Sequence, residues 1–210
     1  MPPASNPFTT TECVAAAVVI DLRENFPDVA LPKSGVDAAF LPPVTSADTS
    51  AILDLCMAAR IGTVVLSGAR NGADLQHLDI LLQVSEARVG ITAGATRIVA
   101  MAGDNPHGLL AAANFANKSK RLIGLGWDSH SLAVAMGLQG KLGSDVAASG
   151  RATLLLAAAA AKVAAIDTSE PEPDTGIFRT ACLHAKAQGF RAKMTGRLSQ
   201  VPVIEEVFAG

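Results

Sequence analysis

Two aspartates stand at matching places in the chain. The stretch Thr96 to Asp128 reads TRIVAMAGDNPHGLLAAANFANKSKRLIGLGWD. Arg97 to Ala102 has the composition of a buried strand and ends in Gly103-Asp104-Asn105-Pro106. The spacing predicts a small-residue helix over Pro106 to Asn117, then a second apolar strand from Arg121 to Gly126 that ends in Trp127-Asp128. In parallel α/β folds, ligands bind at the carboxyl ends of strands. Adjacent strands lie about 5 Å apart, so Asp104 and Asp128 could share one hard cation such as Mg²⁺. Each has another reading. Asp104 suits a helix cap before Pro106. Asp128 suits a loop carboxylate satisfied by Ser129 or by backbone amides.

Asp21 and Asp167 also follow apolar runs and are candidate substrate contacts, with loop capping as the alternative. Lys193 and Arg197 could take an anionic substrate; the alternative is solvated surface charge. Of the histidines, His77 and His184 fall on helix faces expected to be exposed. His107 and His130 border the acidic positions without an obvious acid partner, so no catalytic residue is assigned.

The elements that must place these groups alternate along the chain. Strands are predicted over Val14–Ile20, Val36–Leu41, Thr63–Leu66, Arg97–Ala102, Arg121–Gly126, Val163–Ile166 and Phe190–Met194. Short continuous apolar runs of this kind mark strands buried on both faces. Ser46 is a predicted N-cap for a helix carrying Ile52, Leu53 and Cys56. A helix over Ala73–Glu86 would place Leu75, Leu78 and Leu82 on one face. Val89–Ala95 is ambiguous, and Gly137–Gly143 reads as a flexible connection. Helices follow over about Val146–Ala161 and Thr175–Gln188, the latter stopped by Gly189, and Ser199 is a predicted cap for a last short helix. Seven strands separated mostly by helices argue for a parallel α/β sheet or barrel.

Composition narrows the function classes. At 210 residues the chain suits a single domain spanning 1–210 with a sizeable core, after an irregular, Pro/Ser/Thr-rich segment 1–12. A net charge of −2 offers no basic footprint for nucleic acid. One Trp and no Tyr leave little for base stacking. The three cysteines, Cys13, Cys56 and Cys182, are dispersed and read as reduced buried thiols in a cytoplasmic protein. No signal peptide is expected at the N-terminus. The alanine-rich run at 152–161 is too short to span a bilayer.

The order of motifs resembles the HpcH/HpaI aldolase and citrate lyase beta-subunit family. AAAVVIDLRE (Ala15–Glu24) is similar to the family's second strand, which ends D-L-E-D. Gly62–Arg97 is similar to its fourth strand and following helix, and Arg97–Leu110 to its fifth strand. VAAIDT (Val163–Thr168) resembles the seventh strand. GFRAKMTGRLSQVPVIEEVF (Gly189–Phe208) resembles the eighth strand and closing helix, and is the most specific match. The resemblance implies a TIM-type barrel lacking its first strand, with seven strands recognisable. It implies a Mg²⁺-dependent carbon–carbon lyase or aldolase acting on a small oxo acid or a CoA thioester. Asp104 and Asp128 would hold the metal, with Asp21, Asp167 and Lys193 near substrate, in a homo-oligomer.

The chain departs from the family pattern where chemistry is done. The V-R-x-N of the third strand corresponds to Ala39-Phe40-Leu41-Pro42, without the Arg. The P-K of the fourth strand becomes Ser67-Gly68. Asp104 replaces a metal-binding Glu. An ungapped match puts Ser131 at the metal-binding Asp, and only a shifted one recovers Asp128. Arg23 replaces an acid. The chain also ends at Gly210, before the extension that covers the site in many members. The competing expectation is therefore a barrel that lost its chemistry and serves as a binding or interaction subunit, with the gap at the missing strand covered by the N-terminal segment or a second subunit.

Overall fold

The structure, a computed structural model, describes residues 19–23, 37–139, 142–168 and 174–209. Seven strands form one sheet, every pair is parallel, and the spatial order is the chain order. They are β1 (Val19–Asp21), β2 (Ala38–Leu41), β3 (Thr63–Leu66), β4 (Arg97–Gly103), β5 (Leu122–Trp127), β6 (Ala164–Thr168) and β7 (Ala192–Met194). Helices connect them: α1 (Thr49–Ala58), α2 (Gly72–Arg88), α3 (Pro106–Leu110), α4 (Ser129–Ala135), α5 (Ser144–Ala161), α6 (Thr175–Gln188) and the closing α7 (Val201–Ala209). This is the TIM-type arrangement with seven strands, a curled sheet whose β1 and β7 are each paired on one side among the described residues. No described helix is long and apolar enough to cross a membrane.

Because side chains alternate along a strand, the sheet has two apolar faces. Val65, Val99, Met101, Ile123 and Ile166 form the inner cluster, flanked by Phe40, Ala192 and Met194. Leu41, Val64, Leu66, Ile98, Ala100, Leu125 and Ala165 face outward, into one core with Ile52, Leu53, Leu75, Leu78, Leu82 and Leu154 of the helices. Fully buried strands require this double coverage.

Several predicted boundaries move. Asp48, not Ser46, precedes the first turn of α1, and its side chain makes no capping bond. Ser46 belongs to the turn before, where its hydroxyl accepts from the Asp48 amide. The predicted helix over Pro106–Asn117 stops at Leu110 and passes into a 3₁₀ turn at Ala112–Phe115. Ser199 lies within a 3₁₀ turn, Leu198–Gln200, rather than capping α7. Gly189 does end α6, in the left-handed conformation at φ 112°. The irregular segment 1–12, the strand run before Val19 and Cys13 lie outside the described residues. Cys56 and Cys182 are buried and free, and burial pushes the Cys56 thiol up to about 12.

At the amino-terminal side of the sheet a buried ion pair joins helix to strand. Glu86 in α2 is fully buried and accepts two bonds from Arg121, at 2.7 and 2.8 Å. It also accepts from the amides of Gly94 and Thr96, both at 2.9 Å. Arg121 reaches Asp79 with its Nε at 2.6 Å. The pair therefore orders the loop between α2 and β4 and ties it to the start of β5. Burial by itself would raise the Glu86 pKa. The Arg121 fork and the two amides outweigh it and lower the value from 4.5 to about 2.

Removing one member of such a pair leaves an uncompensated buried charge and costs about 3–5 kcal/mol. Glu86→Gln should lower unfolding free energy by that order at pH 7 in urea titrations. Because the folded-state pKa is depressed, the ion pair's contribution is complete above pH 4.5 and fades as pH falls toward 2. The gap between wild type and Glu86→Gln should therefore shrink with acidification. A constant gap would contradict the assignment.

Candidate functional site

Asp104 and Asp128 come together because β4 and β5 are in parallel register. Gly103 pairs with Trp127, and the Asp128 amide donates to the Gly103 carbonyl at 3.2 Å. The two aspartates are the next residues on the two strands, at the carboxyl-terminal rim where parallel sheets place their ligands. They are close enough that the Asp128 charge contributes to the shift at Asp104.

The capping alternatives separate the two. Asn105, not Asp104, caps α3: its Oδ1 accepts from the Gly108 amide at 2.8 Å. Asp104 is thereby released from helix capping. It is 9% exposed and accepts from the Gly68 amide at 2.7 Å and from Asn105 Nδ2 at 2.7 Å. Asn105 Nδ2 also donates to the Ala69 carbonyl at 3.1 Å. Gly108 permits this packing, since a Cβ there would lie 2.2 Å from the Ala69 carbonyl oxygen. Asp128 does cap α4. Its Oδ1 accepts from the Ser131 amide at 3.0 Å and its Oδ2 from the Ser131 hydroxyl at 2.8 Å. The ungapped and shifted family matches, which named Ser131 and Asp128, thus point to one hydrogen-bonded pair. The alternative reading, a carboxylate satisfied by Ser129 or by backbone amides, is met through the backbone amide and hydroxyl of Ser131.

Asp104 is an uncomfortable carboxylate. Burial pushes its pKa from 3.8 up to about 6, aided by Asp128, while the Gly68 amide and Asn105 hold it down. Among the described residues neither Asp104 nor Asp128 forms an ion pair. One residue before Gly68, the Ser67 hydroxyl is buried and has no hydrogen-bond partner among the described residues. In the sequence Ser67 stands out only as a departure from the family's Pro-Lys; its place directly after β3 was the signal for a site residue.

Asp21 and Arg23 form the next part of the rim. The Arg23 Nε lies 2.9 Å from Asp21 Oδ1 and its NH2 2.5 Å from Oδ2, while the Arg23 amide donates to Oδ1 at 3.0 Å. Burial would raise the Asp21 pKa, but the Arg23 contacts turn the shift downward. The guanidinium rests 4.7 Å from the centre of the Phe40 ring. Its pKa is raised chiefly by Asp21, with Asp128 and Asp104 adding to the effect.

Asp167 and Lys193 are placed elsewhere. They are register partners on β6 and β7, and Asp167 shares the outward parity of Ala165. Asp167 accepts from Lys193 Nζ at 2.5 Å and from Arg151 of α5 at 2.7 Å. The Lys193 side chain is 5% exposed, which removes the solvated-surface alternative. Arg151 stacks on Phe190 at 4.3 Å. This triad joins the sheet to the helix layer. Arg197 is exposed, as are all four histidines. His107 lines an open cleft of about 330 Å³ with Arg70, Asn71, Leu110 and Ala111.

Among the described residues no three His, Cys, Asp or Glu side chains converge as a metal-binding group. Two carboxylates at adjoining strand ends, one buried without a counter-ion, together with an unpartnered buried hydroxyl, nevertheless suit a Mg²⁺ ion. That ion is commonly held by one or two carboxylates and completes its shell with water.

No family model matches the sequence. No curated protein matches it either. Solved structures do match the fold. The citrate lyase beta subunit from M. tuberculosis, complexed with oxaloacetate and magnesium, aligns at a TM-score of 0.73 and 21% identity, over 96% of this chain and 91% of that one. CitE from Mycobacterium tuberculosis in complex with magnesium, acetoacetate and coenzyme A aligns at 0.73 and 21%, over 93% of this chain and 73% of that one. RipC from Yersinia pestis aligns at 0.73 and 21%, over 91% and 88%. At that identity the likeness establishes a common fold.

A buried acid whose pKa is raised favours the protonated folded state, so its benefit is complete below pH 3.8 and is lost as pH rises through about 6. Asp104→Asn should therefore stabilise the metal-free protein at pH 8, by up to about 3 kcal/mol for a shift of this size. The gain should vanish near pH 4. Thermal melts at the two pH values test it, and destabilisation at pH 8 would count against the burial argument.

Proposed function

We propose that the protein is a divalent-metal-assisted carbon–carbon lyase or aldolase of the citrate lyase beta-subunit type, acting on a small oxo acid or its CoA thioester. The observation that carries the proposal is Asp104, buried beside Asp128 at the carboxyl-terminal rim without an ion-pair partner. Support also comes from the fold neighbours whose structures hold magnesium with oxaloacetate, or with acetoacetate and coenzyme A. In this reading Asp104 and Asp128 hold the Mg²⁺. When bound, the ion would polarise a carbonyl oxygen and stabilise the developing enolate. Asn105 and the Gly68 amide fix the rotamer of Asp104, and Ser131 fixes that of Asp128. Asp21 contributes by holding Arg23 at the same rim. Asp167 and Lys193 could reach substrate only by breaking their mutual ion pair, so we assign them to anchoring β6 and β7 on α5.

A second reading, a barrel that binds ligand or partner without turnover, is favoured by the limited set of metal ligands and by the absence of a cation at the end of β2. Mn²⁺ titration followed by electron paramagnetic resonance distinguishes the two in stages. The metal reading expects saturation at or below millimolar Mn²⁺, with at least tenfold weaker binding in Asp104→Asn and in Asp128→Asn. Binding with no carbon–carbon cleavage of oxo acid or acyl-CoA substrates, read as release of pyruvate, of oxaloacetate or of the shortened CoA thioester, would leave the non-catalytic reading. No binding at millimolar metal would remove the lyase proposal.

A further inference from the structure

Arg23 is a rim residue whose charge opposes a bare cation. Its guanidinium is held from two sides. Asp21 takes Nε and NH2, and the Phe40 ring supports its face at 4.7 Å. Both supports belong to rigid elements, since Asp21 and Phe40 are register partners on β1 and β2. Phe40 in turn packs on the inner apolar cluster. Among the described residues the remaining nitrogen, NH1, has no hydrogen-bond partner, and the side chain is 38% exposed. Asp104 and Asp128 both lie within electrostatic reach of it.

The local charges are therefore two acids without an ion pair among the described residues and, at the same carboxyl-terminal rim, one guanidinium paired with Asp21 and laid over Phe40 of the inner apolar cluster. A lone divalent ion between Asp104 and Asp128 would be repelled by Arg23. A divalent ion that arrives with an anion would not, because the anion can sit between the metal and NH1. Planar carboxylates match a guanidinium fork. Stacking on Phe40 also leaves a guanidinium edge free for an in-plane partner.

We propose that Arg23 makes metal and carboxylate binding at this rim cooperative: its guanidinium receives the carboxylate of a small metal-chelating oxo acid and disfavours the metal alone. This rests on the proposed metal site at Asp104 and Asp128. It assigns the anion-recognition role to the end of β1, where the sequence places an Arg, rather than to the end of β2, where it places Leu41-Pro42.

Coupling between two ligands is reciprocal, so it can be read from either one. The experiment is an Mn²⁺ titration with and without pyruvate, paired with relaxation of the pyruvate methyl resonance by Mn²⁺, on wild type, Arg23→Gln and Arg23→Lys. Wild type should bind Mn²⁺ at least tenfold more tightly when pyruvate is present. Arg23→Gln should bind Mn²⁺ alone about two- to fivefold more tightly than wild type, as expected when a nearby like charge is removed. It should lose most of the pyruvate enhancement. Arg23→Lys keeps the charge and loses the fork, so it should show weak metal binding with little enhancement. Thermal melts of the three proteins establish that each is folded. Unchanged pyruvate enhancement in Arg23→Gln would overturn the proposal while leaving the metal site intact. Wild type that binds no Mn²⁺ under either condition would instead overturn the metal site. Pyruvate binding without metal then decides on Arg23: loss of it in Arg23→Gln keeps the anion role, and its absence in wild type ends that role too.

Discussion

The register of β4 against β5 decides whether this molecule has a site at all. Two irregularities lie in that pairing, one between Ile98 and Val99 and one between Ala100 and Gly103. Together they bring Gly103 opposite Trp127. Gly103 is needed there, because a Cβ would lie 2.8 Å from the Trp127 ring and 3.1 Å from the Gly126 carbonyl oxygen. Trp127 is buried against the helix layer, so the end of β5 cannot slide. Asp104 and Asp128 inherit their adjacency from that fixed pairing. A one-residue slip would reverse the facing of every side chain beyond it and part the two acids.

Among the described residues charge is buried in three places, and at only one of them is there no ion pair. Glu86 with Arg121 is compensated by a bidentate pair and by amides of the neighbouring loop. Asp167 is compensated twice, by Lys193 and by Arg151. Both clusters lie where sheet meets helices or loop, and both tie separate elements together. At Asp104 the described residues supply amide donors and no ion pair, a second acid stands next to it, and Arg23, which acts on it only through space, is paired with Asp21. Stability alone does not favour that arrangement, because desolvating a carboxylate costs energy that hydrogen bonds repay only in part. Perturbed groups of this kind gather where a ligand completes the charge balance.

The fold is shared with citrate lyase beta-subunit structures from M. tuberculosis at 21% identity, and the rim departs from the motif pattern that the sequence resembles. Arg23 stands where the family pattern has an acid, and Ser67-Gly68 where it has Pro-Lys. A barrel keeps its architecture through the alternation of inner and outer apolar residues, which many sequences satisfy. Its chemistry depends on a few rim positions, so fold and function can separate.

Much of the framework could be read from sequence. The apolar runs, where they fall on described residues, the apolar face of α2 and the Gly189 stop are local patterns, and they became the elements they implied. Asp104 and Asp128 were legible as strand-end acids for the same reason. The helix after Pro106 was overestimated, because its small residues satisfy helical spacing while packing in space ends the α-helix at Leu110. The facing of Asp167 and Lys193 was not legible: both sit at strand ends, and only the curl of the sheet and the position of Arg151 turn them toward the helices. The Glu86–Arg121 pair joins residues 35 apart that no local pattern connects. The amino-acid sequence by itself thus determined which segments become strands and helices and which acids end up on the rim. Tertiary structure alone decided which charges meet, because an ion pair depends on distance in space while periodicity reports only distance along the chain.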